Sequence, residues 1–166
     1  MAIRKIVETP SPLLMQRCKE VDTFDEKLGE LLDDMHETMI AADGIGLAAP
    51  QIGELVRVAI VDMGEGDPVI EMVNPVVTAV GGSEIEVEGC LSFPGLYGEV
   101  ERPFFVRIEA QERDGSLYEL EAEDYEARAI LHEIDHLDGI LFDSKIKRIV
   151  DPSEFESVDG EDELND

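Results

Sequence analysis

His132-Glu133-Ile134-Asp135-His136 decides how this chain is read, because those five residues write out a metal site and the helix needed to carry it. On an α-helix, positions i and i+4 share one face, so both imidazoles reach one divalent cation. The Glu between them is placed to hold the proton of a water on that cation. The surrounding pattern predicts a helix from about Asp124 to Leu137, with Gly139 just beyond its end. Short motifs of this kind also arise by chance, so the weight rests on two further segments.

The first is Glu88-Gly89-Cys90-Leu91-Ser92-Phe93-Pro94, whose thiol lies 42 residues before His132. Cys90 is either a third ligand or a small buried hydrophobe. The second is Gly44-Ile45-Gly46-Leu47-Ala48-Ala49-Pro50-Gln51. Its glycines permit close backbone approach and Gln51 offers an amide donor. The same stretch satisfies a relaxed G-x-G-x-x-A dinucleotide fingerprint, which must follow a strand and open a helix. Here it follows a helical pattern and runs into Pro50, so the expectation is an extended loop without a nucleotide.

Two imidazoles and a thiolate leave a tetrahedral ion one open position for water. Glu133 is turned off the ligand axis, where it can accept a proton and return it to a leaving amine. Attack on a carbonyl needs donors for the oxyanion, and the Gln51 amide and a backbone N–H beside Cys90 are candidates. Asp135 either orients an imidazole or is an exposed helical acid. The residues alone thus predict metal-dependent hydrolysis of an amide-like bond.

The three segments, in this order and spacing, resemble the GxGLAAxQ, EGCLS and HExDH motifs of the peptide deformylase family. The opening run from Ile6 to Leu14 also resembles the start of that family, and the likeness spans about residues 3–148. It implies Cys90, His132 and His136 as metal ligands, with Glu133 as general acid and base. The Leu91 N–H and the Gln51 amide would hold the oxyanion. Gly44, Ile45 and Gly46 would pair with the peptide backbone beside Gly89, while Ile45, Tyr125 and Ala129 would help to wall a methionine pocket. The implied substrates are nascent polypeptides beginning with N-formylmethionine, met near the ribosome exit, and the products formate and a free amino terminus. The implied cofactor is one divalent ion, Fe(II) with Zn(II) or Ni(II) able to replace it, and the thiolate suits such softer ions better than Mg or Ca. The implied oligomeric state is a monomer. Two departures from the family pattern stand out. Leu131 precedes His132 where Gln is frequent, and Gly95-Leu96-Tyr97-Gly98 is a fuller form of a variable loop.

A zinc endopeptidase is the alternative, since such enzymes share HExxH. They usually draw a third ligand from downstream, whereas the remaining histidine, His36, is upstream. A closed structural metal site would need a fourth protein ligand, and Cys18 is the one unused thiol.

Composition bounds the rest. A chain of 166 residues with 43% apolar content predicts one domain with a proper core. No apolar run reaches the length of a membrane span and Met1-Ala2-Ile3-Arg4-Lys5 lacks a signal-peptide pattern, so the expectation is a cytoplasmic protein with Cys18 and Cys90 reduced. With 40 acidic and 13 basic residues, the net charge is −27. Nucleic acid and anionic membrane are unsuitable partners for such a surface. The segment 151–166 carries eight acids and no Lys or Arg, and without it 32 acids still face 13 bases, a net −19. The acidity therefore belongs to the folded part too, either as a solvated surface or as adaptation to a saline cytoplasm.

Thr23-Phe24-Asp25-Glu26 reads as a capping box, and Phe24, Leu28, Leu31, Leu32, Met35 and Met39 recur at helical spacing through about Ala42. His36 lies beside that face. Strands are predicted at Val56–Val61, at Val69–Val73 before a break at Asn74-Pro75, at Val76–Val80, and at Ile85–Glu88. Phe105–Ala110 and Leu117–Ala122 flank Asp114-Gly115 as a hairpin. The expected fold is a single α+β domain over 1–150. Its short, mostly antiparallel strands pack around the HExxH helix, with one long helix in the N-terminal half. The tail 151–166 is expected to be disordered.

Overall fold

Alternating and continuous apolar runs sort the chain into two helices and two antiparallel sheets. The computed structural model describes residues 2–64, 66–151 and 153. In chain order the elements are α1 (Glu26–Ala41), β1 (Gly46–Ala48), β2 (Val58–Val61), β3 (Ile70–Gly81), β4 (Glu84–Gly89), β5 (Tyr97–Arg102), β6 (Phe105–Gln111), β7 (Leu117–Glu123), α2 (Asp124–Leu137) and β8 (Ile146–Ile149). One sheet runs β1-β2-β3-β6-β7 and the other β4-β5-β8, with every pairing antiparallel.

The five-stranded sheet lies between the two helices. Along β2, Val58 and Ile60 pack with Leu28, Leu32, Met35 and Met39 of α1. Ala59 and Val61 point the other way, toward Ala127, Ile130, Ile134 and Leu137 of α2. Alternation along a strand explains why all four residues are buried and why β2 reads as an unbroken apolar run. Each such large aliphatic side chain contributes about 1.5–3 kcal/mol when fully buried. A third cluster, Leu14, Phe93, Val100, Leu141 and Phe142, fills the space beneath the smaller sheet.

Several sequence expectations need correction. The cap of α1 is Asp25, whose carboxylate accepts from the Lys27 and Leu28 N–H groups, rather than Thr23, whose hydroxyl turns to Asp22. Phe24 thus precedes the helix while still packing against its cluster. Asn74-Pro75 does not end a strand, because β3 continues through it with a register shift between Val73 and Val76. Asn74 sits at φ 52, and its amide is tied to the Val21 backbone in both directions and to Gln111, which compensates the unusual conformation. The stretch expected to be an extended loop forms β1, which pairs Gly46 with Val61. The Cys90 segment is strand only as far as Gly89, and β5 and β8 were not foreseen. The hairpin at Asp114-Gly115 and the span of α2 match the sequence pattern. Apart from Asp151 and Ser153, the tail expected to be disordered lies outside the described residues.

Candidate active site and metal centre

α2 presents His132 and His136 on its sheet-facing side, and the chain leaving β4 brings Cys90 to meet them. One ligand atom from each of the three lies within 4.8 Å of the others. Cys90 Sγ is 3.4 Å from His136 Nε2, and the two imidazole centroids are 5.2 Å apart. Both histidines are buried and Cys90 is half-buried. His136 Nδ1 has no protein partner. Two inward imidazole nitrogens and a thiol suit a soft or borderline divalent ion.

His132 is fixed from behind. Its Nδ1 is 2.8 Å from Glu88 Oε1, which leaves Nε2 for the cluster. Glu88 also takes Arg102 Nε, Arg102 Nη2 at 3.0 Å and Arg128 Nη1 at 2.7 Å. Phe142 stacks 5.5 Å from the His132 ring, joining the imidazole to the cluster beneath the smaller sheet. Burial alone would raise the Glu88 pKa, but the bonds from His132 and Arg102 bring it down to about 2. For His132, burial is outweighed by Cys90 and Glu88, which carry its pKa up to about 10 in the absence of a cation. His136 is held well below its usual value by burial, then by His132 and Arg102.

The imidazole-orienting carboxylate is therefore Glu88, not Asp135. Asp135 instead accepts from Arg102 Nη1 at 2.9 Å and from Lys145 Nζ at 3.0 Å, bracing the far side of the same network. Sequence reasoning missed Glu88, Arg102 and Arg128. Arg128 was within reach of it, since it stands four residues before His132 on one helical face. Leu131 packs against the α2 cluster. His36 is 3.3 Å from Asp62 and far from any ligand role, and Cys18 is buried in the core, apart from the metal-ligand cluster.

A pocket of about 370 Å³ opens beside the cluster. Gln51, Leu91, Glu133, Cys90, His132, Gly44, Ile45, Gly46, Gly89, Tyr125 and Ala129 all line it, along with Asp43, Val87, Tyr97, Glu88 and Arg128. Of the sequence-predicted site residues only His136 is set behind its surface. Glu133 Oε1 is buried without a partner, and burial pushes its carboxyl up to about 7 against the pull of His132 and Arg102. β1 passes so close that a Cβ on Gly46 would stand 2.5 Å from Glu133 Oε2, so a side chain there would displace the carboxylate. The Gln51 amide is immobilised: Oε1 accepts from the Ala48 N–H at 2.9 Å, while Nε2 donates to Ser92 Oγ at 3.1 Å and lies 3.6 Å from Cys90 Sγ. The Leu91 N–H has no acceptor among the described residues.

The sequence profile described as Polypeptide deformylase matches residues 3–151. Peptide deformylase of Caldicellulosiruptor bescii is 53% identical over 156 residues, covering 94% of this chain and 93% of that protein. The chain belongs to the polypeptide deformylase family. Peptide deformylase 1 of Bacillus subtilis is 46% identical over 160 residues, with 96% of this chain and all of that protein covered. In fold, the crystal structure of the Thermotoga maritima deformylase superposes with a TM-score of 0.85 at 38% identity, covering 89% of this chain and 99% of that one. That of the Synechococcus elongatus deformylase, solved in complex with actinonin, gives 0.82 at 37% identity over 86% and 78% of the two chains. Deformylases are metalloenzymes, and the Cys90, His132 and His136 cluster meets that requirement. The endopeptidase alternative is not favoured: the likeness is to deformylases across nearly the whole chain, and the third sulfur or nitrogen near the histidines comes from upstream.

The Glu88 network supports a prediction. Glu88→Ala leaves Arg102 and Arg128 buried without their shared anion, which should destabilise the fold by about 3–5 kcal/mol. Metal affinity should also fall roughly 10–100-fold as His132 loses its brace. Thermal unfolding and metal titration read the two effects separately, and unchanged metal affinity would refute the bracing role. Because the Glu88 pKa is depressed in the fold, the stability it contributes is present above the ordinary carboxylate value. It is lost as pH falls toward about 2.

Proposed function

We propose that Cys90, His132 and His136 hold one divalent metal ion, and that Glu133, Gln51 and the Leu91 N–H act around it to hydrolyse the N-formyl group of nascent polypeptides. Membership of the family makes the reaction removal of that formyl group, and cleavage of the formyl C–N bond by water releases formate and a free amine. The observation that carries the assignment of roles is the unpartnered Glu133 carboxylate lying in one pocket with three clustered ligand atoms.

The bound ion supplies Lewis acidity to the formyl carbonyl and to the attacking water. Glu133 takes the water's proton and delivers it to the departing amine nitrogen, a double duty that a pKa near neutrality suits. Gln51 Nε2 and the Leu91 N–H donate to the oxygen that gains charge during attack. Gln51 is held in place by Ala48 and Ser92, so little reorganisation is needed at that moment. The backbone at Gly44, Ile45, Gly46 and Gly89 pairs with the peptide, and Ile45, Tyr125 and Ala129 receive the methionine side chain.

Fe(II) is the ion of choice, with Zn(II) or Ni(II) able to replace it, in keeping with the thiolate. The catalytic unit is 1–150, working as a cytoplasmic monomer on chains near the ribosome exit. No described helix is long and apolar enough to cross a membrane. The deciding experiment measures formate release from formyl-Met-Ala under anaerobic conditions with bound metal quantified. Cleavage of internal peptide bonds without formate release would overturn the reading.

The acidity of the folded part is read as adaptation to a saline cytoplasm. At 1 M salt the Debye length is about 3 Å, so like charges on the surface cease to repel one another. The thermal midpoint should therefore rise from low salt to molar KCl by more than in isosmotic sucrose, which controls for non-specific exclusion. Deleting 153–166 should leave most of that rise in place, and an equal rise in both solutes would defeat the saline reading.

A further inference from the structure

We propose that the mouth of this pocket selects formylated chains with basic residues directly after the methionine, a preference that rests on the deformylase reading above. The lining charges Glu88, Arg128, His132 and Glu133 are buried, whereas Asp43 is exposed at the rim. Across the opening, the Tyr125 hydroxyl donates to Glu86 Oε2 at 3.1 Å, and Asp124 precedes Tyr125 at the start of α2. Glu84 lies two residues before Glu86 on β4. Its carboxyl is pushed up by desolvation and then by Asp124 and Glu86.

None of Asp43, Glu84, Glu86 and Asp124 forms an ion pair with Lys or Arg among the described residues. Elsewhere exposed acids do find cations: Glu101 with Lys147 at 2.7 Å, Glu121 with Arg107 at 2.7 Å, and Glu99 with Arg148 at 3.2 Å. The one guanidinium lining the pocket, Arg128, is committed to Glu88 and to the Val100 and Glu84 carbonyls. The mouth therefore keeps an uncompensated negative field. Deeper in the same pocket, the unpartnered Glu133 Oε1 marks where an occupant belongs.

The rim also exposes apolar surface. Ile45, Val87 and Tyr125 are 52%, 41% and 50% exposed beside those carboxylates. Apolar walls edged with acids match Lys and Arg, whose aliphatic stems lie along the walls while their cationic heads reach the carboxylates. Acidic side chains would meet like charge in the same place.

The test compares kcat/KM of the metal-loaded full-length enzyme for formyl-Met-Lys-Lys, formyl-Met-Ala-Ala and formyl-Met-Glu-Glu amides. Exposed charge pairs are individually weak, so the expected Lys-to-Glu ratio at low salt is about tenfold or more, shrinking toward unity in molar KCl. Asp43→Asn combined with Glu86→Gln should reduce the ratio to a few-fold at most. Glu109→Gln combined with Glu119→Gln, a cross-strand pair of exposed acids on β6 and β7, should leave it unchanged. A ratio near one at low salt, or an equal drop in the remote pair, overturns the preference while formate release from formyl-Met-Ala-Ala upholds the deformylase reading. Failure to release formate from all three peptides overturns both.

Discussion

Glu133→Ala is expected to lower turnover roughly 10²–10⁴-fold while metal content stays near one equivalent, because the residue moves protons and is not one of the three clustered ligands. The measurement is formate release per bound metal, and near-normal turnover in the loaded variant would sink the mechanism. A second consequence follows from burial. In the metal-free protein the Glu133 carboxyl is raised from its usual value to about 7, so the fold favours its neutral form. That preference is fully present below the unfolded-state pKa and is lost as pH rises through about 7. Glu133→Gln keeps the shape without the charge, so at pH 8 it should unfold no earlier than the parent, as thermal melts of the two apoproteins would show. The site then holds an ionisable acid at a cost in stability, in exchange for a base poised at working pH.

Cys90→Ala is expected to abolish tight metal binding as well as activity. The thiol supplies one of three ligand atoms within 4.8 Å of one another, and the two imidazoles left behind form an incomplete set. Oxidation of the half-buried Cys90 thiol should act in the same way, and loss of activity in air should be faster with iron loaded than with zinc. Metal analysis after dialysis, set beside activity, checks both statements. Normal metal occupancy in Cys90→Ala would show the ligand set to be wrong. Cys18 is the internal control: it is buried in the core and remote from the cluster, so its loss should leave metal content intact.

Much of the site was legible because its chemistry is written in short-range spacing. His132 and His136 share a helical face by periodicity alone, Glu133 is carried with them, and the Cys90 and Gln51 segments announce themselves by residue type and order. The two-sided burial of α1 and β2 is likewise present in their apolar periods. What resisted sequence reading were features whose cause lies elsewhere in the chain. Thr23-Phe24-Asp25-Glu26 offers two capping residues, and packing of Phe24 against the α1 cluster accompanies the choice of Asp25. Asn74-Pro75 reads as a break, but hydrogen bonds from Val21 and Gln111 support the bulge that carries β3 onward. β5 and β8 lack a clear alternating run, and pairing with β4 supplies the order that their own residues do not.

The sequence by itself determined the reaction's equipment: two imidazoles, a thiol, a carboxylate and an amide, of types and spacings suited to a softer divalent ion and an oxyanion. Tertiary structure alone decided which carboxylate braces the metal site. By local spacing Asp135 is the nearer acid, one residue from His136, yet it turns to Arg102 and Lys145. Glu88, 44 residues from His132, closes on its Nδ1. The physical reason is that a buried carboxylate goes where its charge can be matched. The interior between β4, β5 and α2 offers Glu88 two guanidiniums and an imidazole at once, an arrangement of three separate segments that no local pattern encodes.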